Sequence, residues 1–155
     1  MAESGIPPCT WAPLLEPDAD TVDRLRYAGR SSEELVACGE EWDAVAIAPL
    51  SRGLAALDTL DVTPEDRFPV IADYHRQELI VLVPAGTATD GEEIQGVRAL
   101  GRGAFLMVPR GELGTHNAAW LSAPTRFGKR YLGAAALRAA VKTADEARAD
   151  GRALC

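Results

Sequence analysis

His75 and Arg76 stand side by side in VIADYHRQELIVLV, between two apolar runs. A guanidinium presents a planar fork of donors, so this pair at the tip of a turn could grip a phosphate, although an exposed polar turn is the simpler reading. Asp43 in WDAVAIA and Asp73 in VIADYH are acids embedded in apolar runs. Together with His75 they are the residues an enzymatic reading would use. A centre of divalent metal ions needs several anionic oxygens on adjacent strands. Asp43 is followed only by Ala, Val and Ile in its run, so the carboxylate set is incomplete. The expectation is therefore no metal and no cofactor, with Mn or Mg reserved for the enzymatic alternative.

A second candidate is a cationic segment. Between positions 98 and 142 there are eight basic residues (Arg98, Arg102, Arg110, Arg126, Lys129, Arg130, Arg138 and Lys142) against the single acid Glu112. The first 97 residues carry six basic and nineteen acidic residues. If that separation persists in space, one face suits an anionic partner such as a nucleotide, a nucleic acid or an acidic protein. Arg98, Arg102 and Arg110 group around one glycine turn, and Arg126, Lys129 and Arg130 follow, interleaved with Phe127 and Tyr131. Those two aromatics could stack on bases, with core packing as the simpler role. A solvated face balancing the acidic half is the competing reading of the whole segment.

Other motifs carry less. Gly101-Arg102-Gly103 lacks the following helix of a dinucleotide site and reads as a turn. His116 has no companion ligand or nucleophile nearby and reads as a loop residue. The pairs Glu33-Glu34, Glu40-Glu41 and Glu92-Glu93 diverge from one another on any regular element, so they are surface rather than acid-base pairs. Ser31, Ser51 and Ser122 lie outside any G-x-S-x-G turn.

The chain has 155 residues, a net charge of -7, 47% hydrophobic and 25% charged residues. These values predict one soluble folded domain. No run approaches the roughly 20 apolar residues of a membrane span, and the N-terminus lacks the layout of a secretion signal, so the expected location is cytoplasmic. Cys9, Cys38 and Cys155 are far apart and in no zinc spacing, which favours free thiols, with Cys38 buried.

The elements that must position these residues follow from periodicity. Residues 1–20, with four prolines, read as an irregular arm that packs Trp11 and Leu14 onto the body. Val22, Leu25 and Tyr27 share helical spacing. SSEELVACG reads as a second helix, capped by Ser31 or Ser32 and ended by Gly39. WDAVAIAP is the first core strand, and SRGLAALDTL a helix with Leu54, Leu57 and Leu60 inward. FPVIADY and ELIVLVP form a hairpin, as do GVRAL and AFLMVP around the glycine turn. AAWLSAP reads as an edge strand. The alanine-rich stretch of about 132–150 is the strongest helix, with an inward stripe of Leu132, Ala136, Val141 and Ala144. The expected fold is a single α/β (α+β) domain over 21–150, with a small antiparallel or mixed sheet flanked by helices.

The order WDAVAIAP, GLAALDTL, PVIADYHRQELIVLVPAGTA, GVRALGRGAFLMVPRG and AAWLSAP, over about residues 40 to 124, resembles the N-terminal domain of bacterial primase-polymerases. It is more similar still to small stand-alone proteins grouped with that domain. The resemblance implies an α/β domain whose enzymatic members hold metals on alternating aspartates and contact the nucleotide with a histidine-bearing strand. Here the metal carboxylates depart from that pattern, which implies a degenerate, non-catalytic member.

The function this predicts is that of a non-catalytic regulatory or accessory protein, holding an anionic ligand or a protein partner through His75, Arg76, Arg98, Arg102, Arg110, Arg126, Lys129 and Arg130. The alternatives are a metal-dependent nucleotidyl transferase using Asp43, Asp73 and His75, and a pure interaction module that includes a possible homodimer through the C-terminal helix.

Overall fold

The central strand β2 (Trp42–Ile47) is buried along its whole length, and so is most of β4 (Glu78–Pro84), its antiparallel neighbour. A strand buried on both faces needs cover on both sides, and the chain supplies two different covers. The structure is a computed structural model that describes residues 9–28, 32–111, 114–125 and 128–151. Among these residues β3 (Val70–Asp73), β5 (Val97–Leu100) and β7 (Ala119–Ser122) complete an antiparallel sheet in the order β5-β2-β4-β3-β7. The fold is α+β, as expected.

One face of the sheet presents Val45, Ile47, Val70, Leu79, Val81 and Val83 to helices α2 (Leu50–Thr59) and α3 (Ala134–Ala149). Here Gly53 of α2 packs so closely on the sheet that an added Cβ would lie 2.6 Å from the Leu79 Cβ. Arg52 of α2 braces α3 by donating to both carboxylate oxygens of Asp145, at 3.1 and 2.7 Å, and also donates to the carbonyls of Ala48 and Gln95. The arm docks on this face as expected. Trp11 is buried, its indole Nε1 donates to the Val62 carbonyl at 2.7 Å, and the backbone N–H groups of Thr10, Trp11 and Ala12 all donate to the Asp58 carboxylate. A single turn of 3-10 helix, Ala12–Leu15, precedes α1 (Ala19–Tyr27), which Asp18 caps through Thr21 N. That hydrogen bond holds the exposed Asp18 carboxyl below its ordinary pKa.

The opposite face is smaller, with Ala44, Ala46, Ile71, Ile80 and Leu82, and is covered by a two-stranded ribbon of β1 (Glu33–Ala37) and β6 (Phe105–Pro109). Alternation sorts the two faces: Val45 and Ile47 point to the helices, Ala44 and Ala46 to the ribbon.

Five expectations are corrected. Residues 33–37 are a strand, because Leu35 and Val36 pair with Met107 and Leu106, and this long-range pairing overrides the local capping signal. The strands flanking the glycine turn do not pair with each other: β5 adds to β2 and β6 to β1, so the turn carries the chain from sheet to ribbon. The turn itself forms, with Ala104 N donating to the Gly101 carbonyl at 2.9 Å. On α3 the buried stripe includes Leu137, Ala140 and Ala147, while Ala136 faces solvent. Tyr27 is exposed. Cys38 is a buried free thiol, as expected, and burial pushes its pKa up, with nearby Asp43 adding to the rise, whereas Cys9 is disulfide-bonded. The expectations for Ser31, Arg126, Phe127 and Cys155 lie outside the described residues.

Candidate functional site

The ribbon does not seal the sheet. Between them lies a cleft of about 400 Å³, floored by Ile80 and Leu100 and walled on the ribbon side by Phe105, Leu106 and Met107. Its polar lining comes from Asp73, His75, Arg76 and Glu78 of the β3–β4 hairpin, with Arg98 of β5, Glu33 of β1 and Asn117. The predicted residues Asp73, His75, Arg76 and Arg98 are thus brought together.

The hairpin explains the local geometry. Asp73 and Glu78 are directly opposed across β3 and β4, an arrangement that places two carboxylates on one face and is unfavourable when both are charged. Each is relieved separately. Asp73 Oδ1 accepts from the Arg76 backbone N–H at 2.8 Å, closing the turn. Glu78 accepts from Arg98 Nη2 with both oxygens, at 3.0 and 3.1 Å. Arg98 reaches it across β2: Ala46 is the direct cross-strand partner of Arg98 on one side and of Ile80 on the other, and Glu78 lies two residues from Ile80 on the same face of β4. Burial pushes the Asp73 carboxyl above the ordinary aspartate pKa, against the Arg76 N–H and charge that favour its ionised form. The exposed His75 and Arg76 side chains have no ion-pair partner among the described residues, so the Arg76 guanidinium and the His75 imidazole are both available at the mouth of the cleft.

Asp43 is not part of this site. Its direct cross-strand partner is Val83, which belongs to the helix-facing core, whereas Asp73 pairs with Glu78 on the ribbon face. Those partners, Val83 and Glu78, also stand toward opposite ends of β4, five residues or roughly 17 Å apart along the strand. Asp43 is buried, with Oδ2 accepting from Ala88 N at 3.0 Å and Oδ1 without a partner. It anchors the loop between β4 and β5. Among the described residues no group of three or more His, Cys, Asp or Glu side chains could hold a metal ion.

The remaining cations are dispersed. Arg110 pairs with Glu34 at 3.3 Å, Lys129 with Glu41 at 3.4 Å and Lys142 with Glu92 at 3.1 Å. Arg130 donates to the Asp66 carbonyl and lies 4.4 Å from the centre of the Phe68 ring. Arg138 is buried and donates to the Asp90 carbonyl. Arg102 is exposed on the glycine turn, against Gly39, and lies outside the cleft lining. Charge segregated along the chain is therefore interleaved in space, because the basic segment folds back onto the acidic one.

Sequence reasoning missed Glu33, Glu78, Phe105, Met107 and Asn117 as cleft residues. The one available signal is AFLMVP, whose apolar residues do not alternate with polar ones although one side of the ribbon faces solvent. A second hollow of about 490 Å³ shares Glu33 and Asn117 with the cleft and is lined further by Leu25, Arg26 and His116. His116 meets the Tyr74 ring edge-on at 6.4 Å, and its carbonyl accepts from Tyr74 N. Burial pushes the Tyr74 hydroxyl pKa up.

No protein-family model matches the chain, and no curated protein or solved structure matches it. No helix among the described residues is long and apolar enough to cross a membrane.

Proposed function

We propose that this chain is a non-catalytic accessory protein that holds an anionic ligand in the cleft between sheet and ribbon, in keeping with its resemblance to a primase-polymerase-like domain that lacks its metal carboxylates. The observation that supports this reading is the division of acids and bases. The mouth of the cleft carries His75 and the Arg76 guanidinium beside Arg98, while the two acids that an enzyme would need together stand on opposite faces of the sheet. An apolar floor beneath those cations gives the ligand a body to bury as well as a charge to pair. The cytoplasm, where nucleotides and other phosphorylated metabolites are concentrated, is the compartment that fits this reading.

The test is calorimetric titration of the full chain with a nucleoside triphosphate as an anion probe, with Mn²⁺ and with EDTA. Saturable heat that persists in EDTA and disappears on combined Arg76→Ala and Arg98→Ala substitution is expected. Heat that requires Mn²⁺ would return the enzymatic reading, and no heat at all would remove the anion site.

A further inference from the structure

We infer that the disulfide on Cys9 runs to Cys155, and that this bond is a redox-responsive staple which joins the arm to the chain beyond α3 and locks the arm onto the helical layer.

The pairing follows by elimination. The sequence holds three cysteines, Cys9, Cys38 and Cys155. Cys9 is disulfide-bonded and Cys38 is a free thiol, so within the chain the partner of Cys9 is Cys155, which itself lies outside the described residues. Cys38 is left out by its place in the fold. It is 2% exposed in the core beneath the ribbon, and thiol–disulfide exchange needs a thiolate that the other sulfur can reach. Burial, with Asp43 beside it, raises the pKa of this thiol and lowers its thiolate fraction further. An odd number of cysteines therefore gives one pairing rather than three.

The fold holds Cys9 ready for that bond. The next three residues, Thr10, Trp11 and Ala12, all donate their backbone N–H groups to Asp58 in the last turn of α2. Helix α3 belongs to the same layer, since Leu137 and Val141 share one apolar cluster with Trp11, Leu54 and Leu57. Four residues follow Gly151, the last described residue after α3, and the fourth is Cys155. Both sulfurs are thus tethered to one layer. Tethered groups meet at an effective concentration on the order of millimolar, far above that of a second copy in dilute solution, so the bond closes within one chain.

The oxidant is a low-molecular-weight disulfide. The first cysteine thiolate attacks one of its sulfurs, forming a mixed disulfide and releasing one small thiol; the second thiolate then displaces the other small thiol. Two protein thiols are oxidised, and the small disulfide is reduced to two thiols. Cytosolic disulfides are ordinarily transient and redox-sensing, so in the compartment proposed above the staple closes as such an oxidant accumulates and opens when a dithiol reduces it. With the staple open, the Asp58 clamp and the buried Trp11 hold the arm alone.

The test oxidises the full chain with glutathione disulfide, alkylates the remaining thiols in denaturant and digests with trypsin in the absence of reductant. Cleavage after Arg24, Arg30, Arg52 and Arg152 puts the three cysteines on separate peptides. The expected product is a monomer in which peptide 1–24 is joined to peptide 153–155 while Cys38 carries the label. A bond to Cys38, a disulfide-linked dimer, or label on Cys9 would each overturn the pairing. Hydrogen exchange then reads the lock. Reduction, or Cys9→Ser, should speed exchange at the Thr10, Trp11 and Ala12 amides about tenfold or more, and Cys38→Ala in oxidant should leave those amides as slow as in the oxidised parent. Equal exchange in the oxidised and reduced chains would overturn the redox role even if the bond is found.

Discussion

Arg98 of β5 reaches across β2 to place one guanidinium nitrogen 3.0 and 3.1 Å from the two carboxylate oxygens of Glu78 on β4. The pair is half solvated, with Arg98 53% and Glu78 15% exposed at the side chain, so it holds Arg98 with no more than about 1 kcal/mol.

Releasing that hold should improve anion binding. Glu78→Gln frees Arg98 and removes a negative charge from the cleft, and the dissociation constant for the triphosphate probe should fall about two- to fivefold in calorimetry. Unchanged or weaker binding would mean that Arg98 does not contact the ligand.

Asp73 should leave a signature in the pH dependence of stability. Its folded pKa lies above the ordinary aspartate value because of burial, so between those two pH values the folded chain retains a proton that the unfolded chain has released. Stability contributed by this group therefore falls as pH rises through that window. Asp73→Asn keeps an oxygen for the Arg76 N–H and should flatten the urea midpoint across the same interval; a slope identical to that of the parent chain would contradict the assignment.

Asp58 is the latch of the arm. Three backbone N–H groups converge on its carboxylate, and Asp58→Ala leaves them without an acceptor beside a buried tryptophan. The substitution should cost about 3 kcal/mol and shift Trp11 emission toward the red, with proteolysis entering near the arm first.

Gly53 tests the helix-to-sheet contact. In an exposed helix Gly→Ala gains about 1 kcal/mol, yet here the new methyl would meet Leu79 at 2.6 and 2.7 Å. Overpacking should win, lowering stability by roughly 1–2 kcal/mol in a denaturant titration.

The legible parts of this fold are those whose signals are local. WDAVAIA, VIADY and ELIVLV announce strands by β-branched content, the alanine-rich C-terminal helix announces itself by propensity, and Trp11 stands out as a large apolar residue in a proline-rich arm. The α+β class follows from these. The ribbon was hidden because EELVA and FLMVP are separated by more than sixty residues and only their pairing makes β1 a strand. The cleft was half visible: His75 and Arg76 mark its mouth, but Glu33, Phe105 and Met107 belong to it only through the ribbon. The cationic segment misled for the same reason, since its acids, Glu34, Glu41, Glu78 and Glu92, arrive from the other end of the chain.

The distance between β1 and β6 also sets a timetable. During synthesis the apolar side of Glu33–Ala37 leaves the ribosome well before Phe105–Pro109 exists to cover it. At about 5–20 residues per second this wait is on the order of 3–14 s. Through that interval the nascent chain carries Leu35 and Val36 flanked by Glu33, Glu34, Glu40 and Glu41, like charges of the kind that discourage uncovered apolar strands from associating.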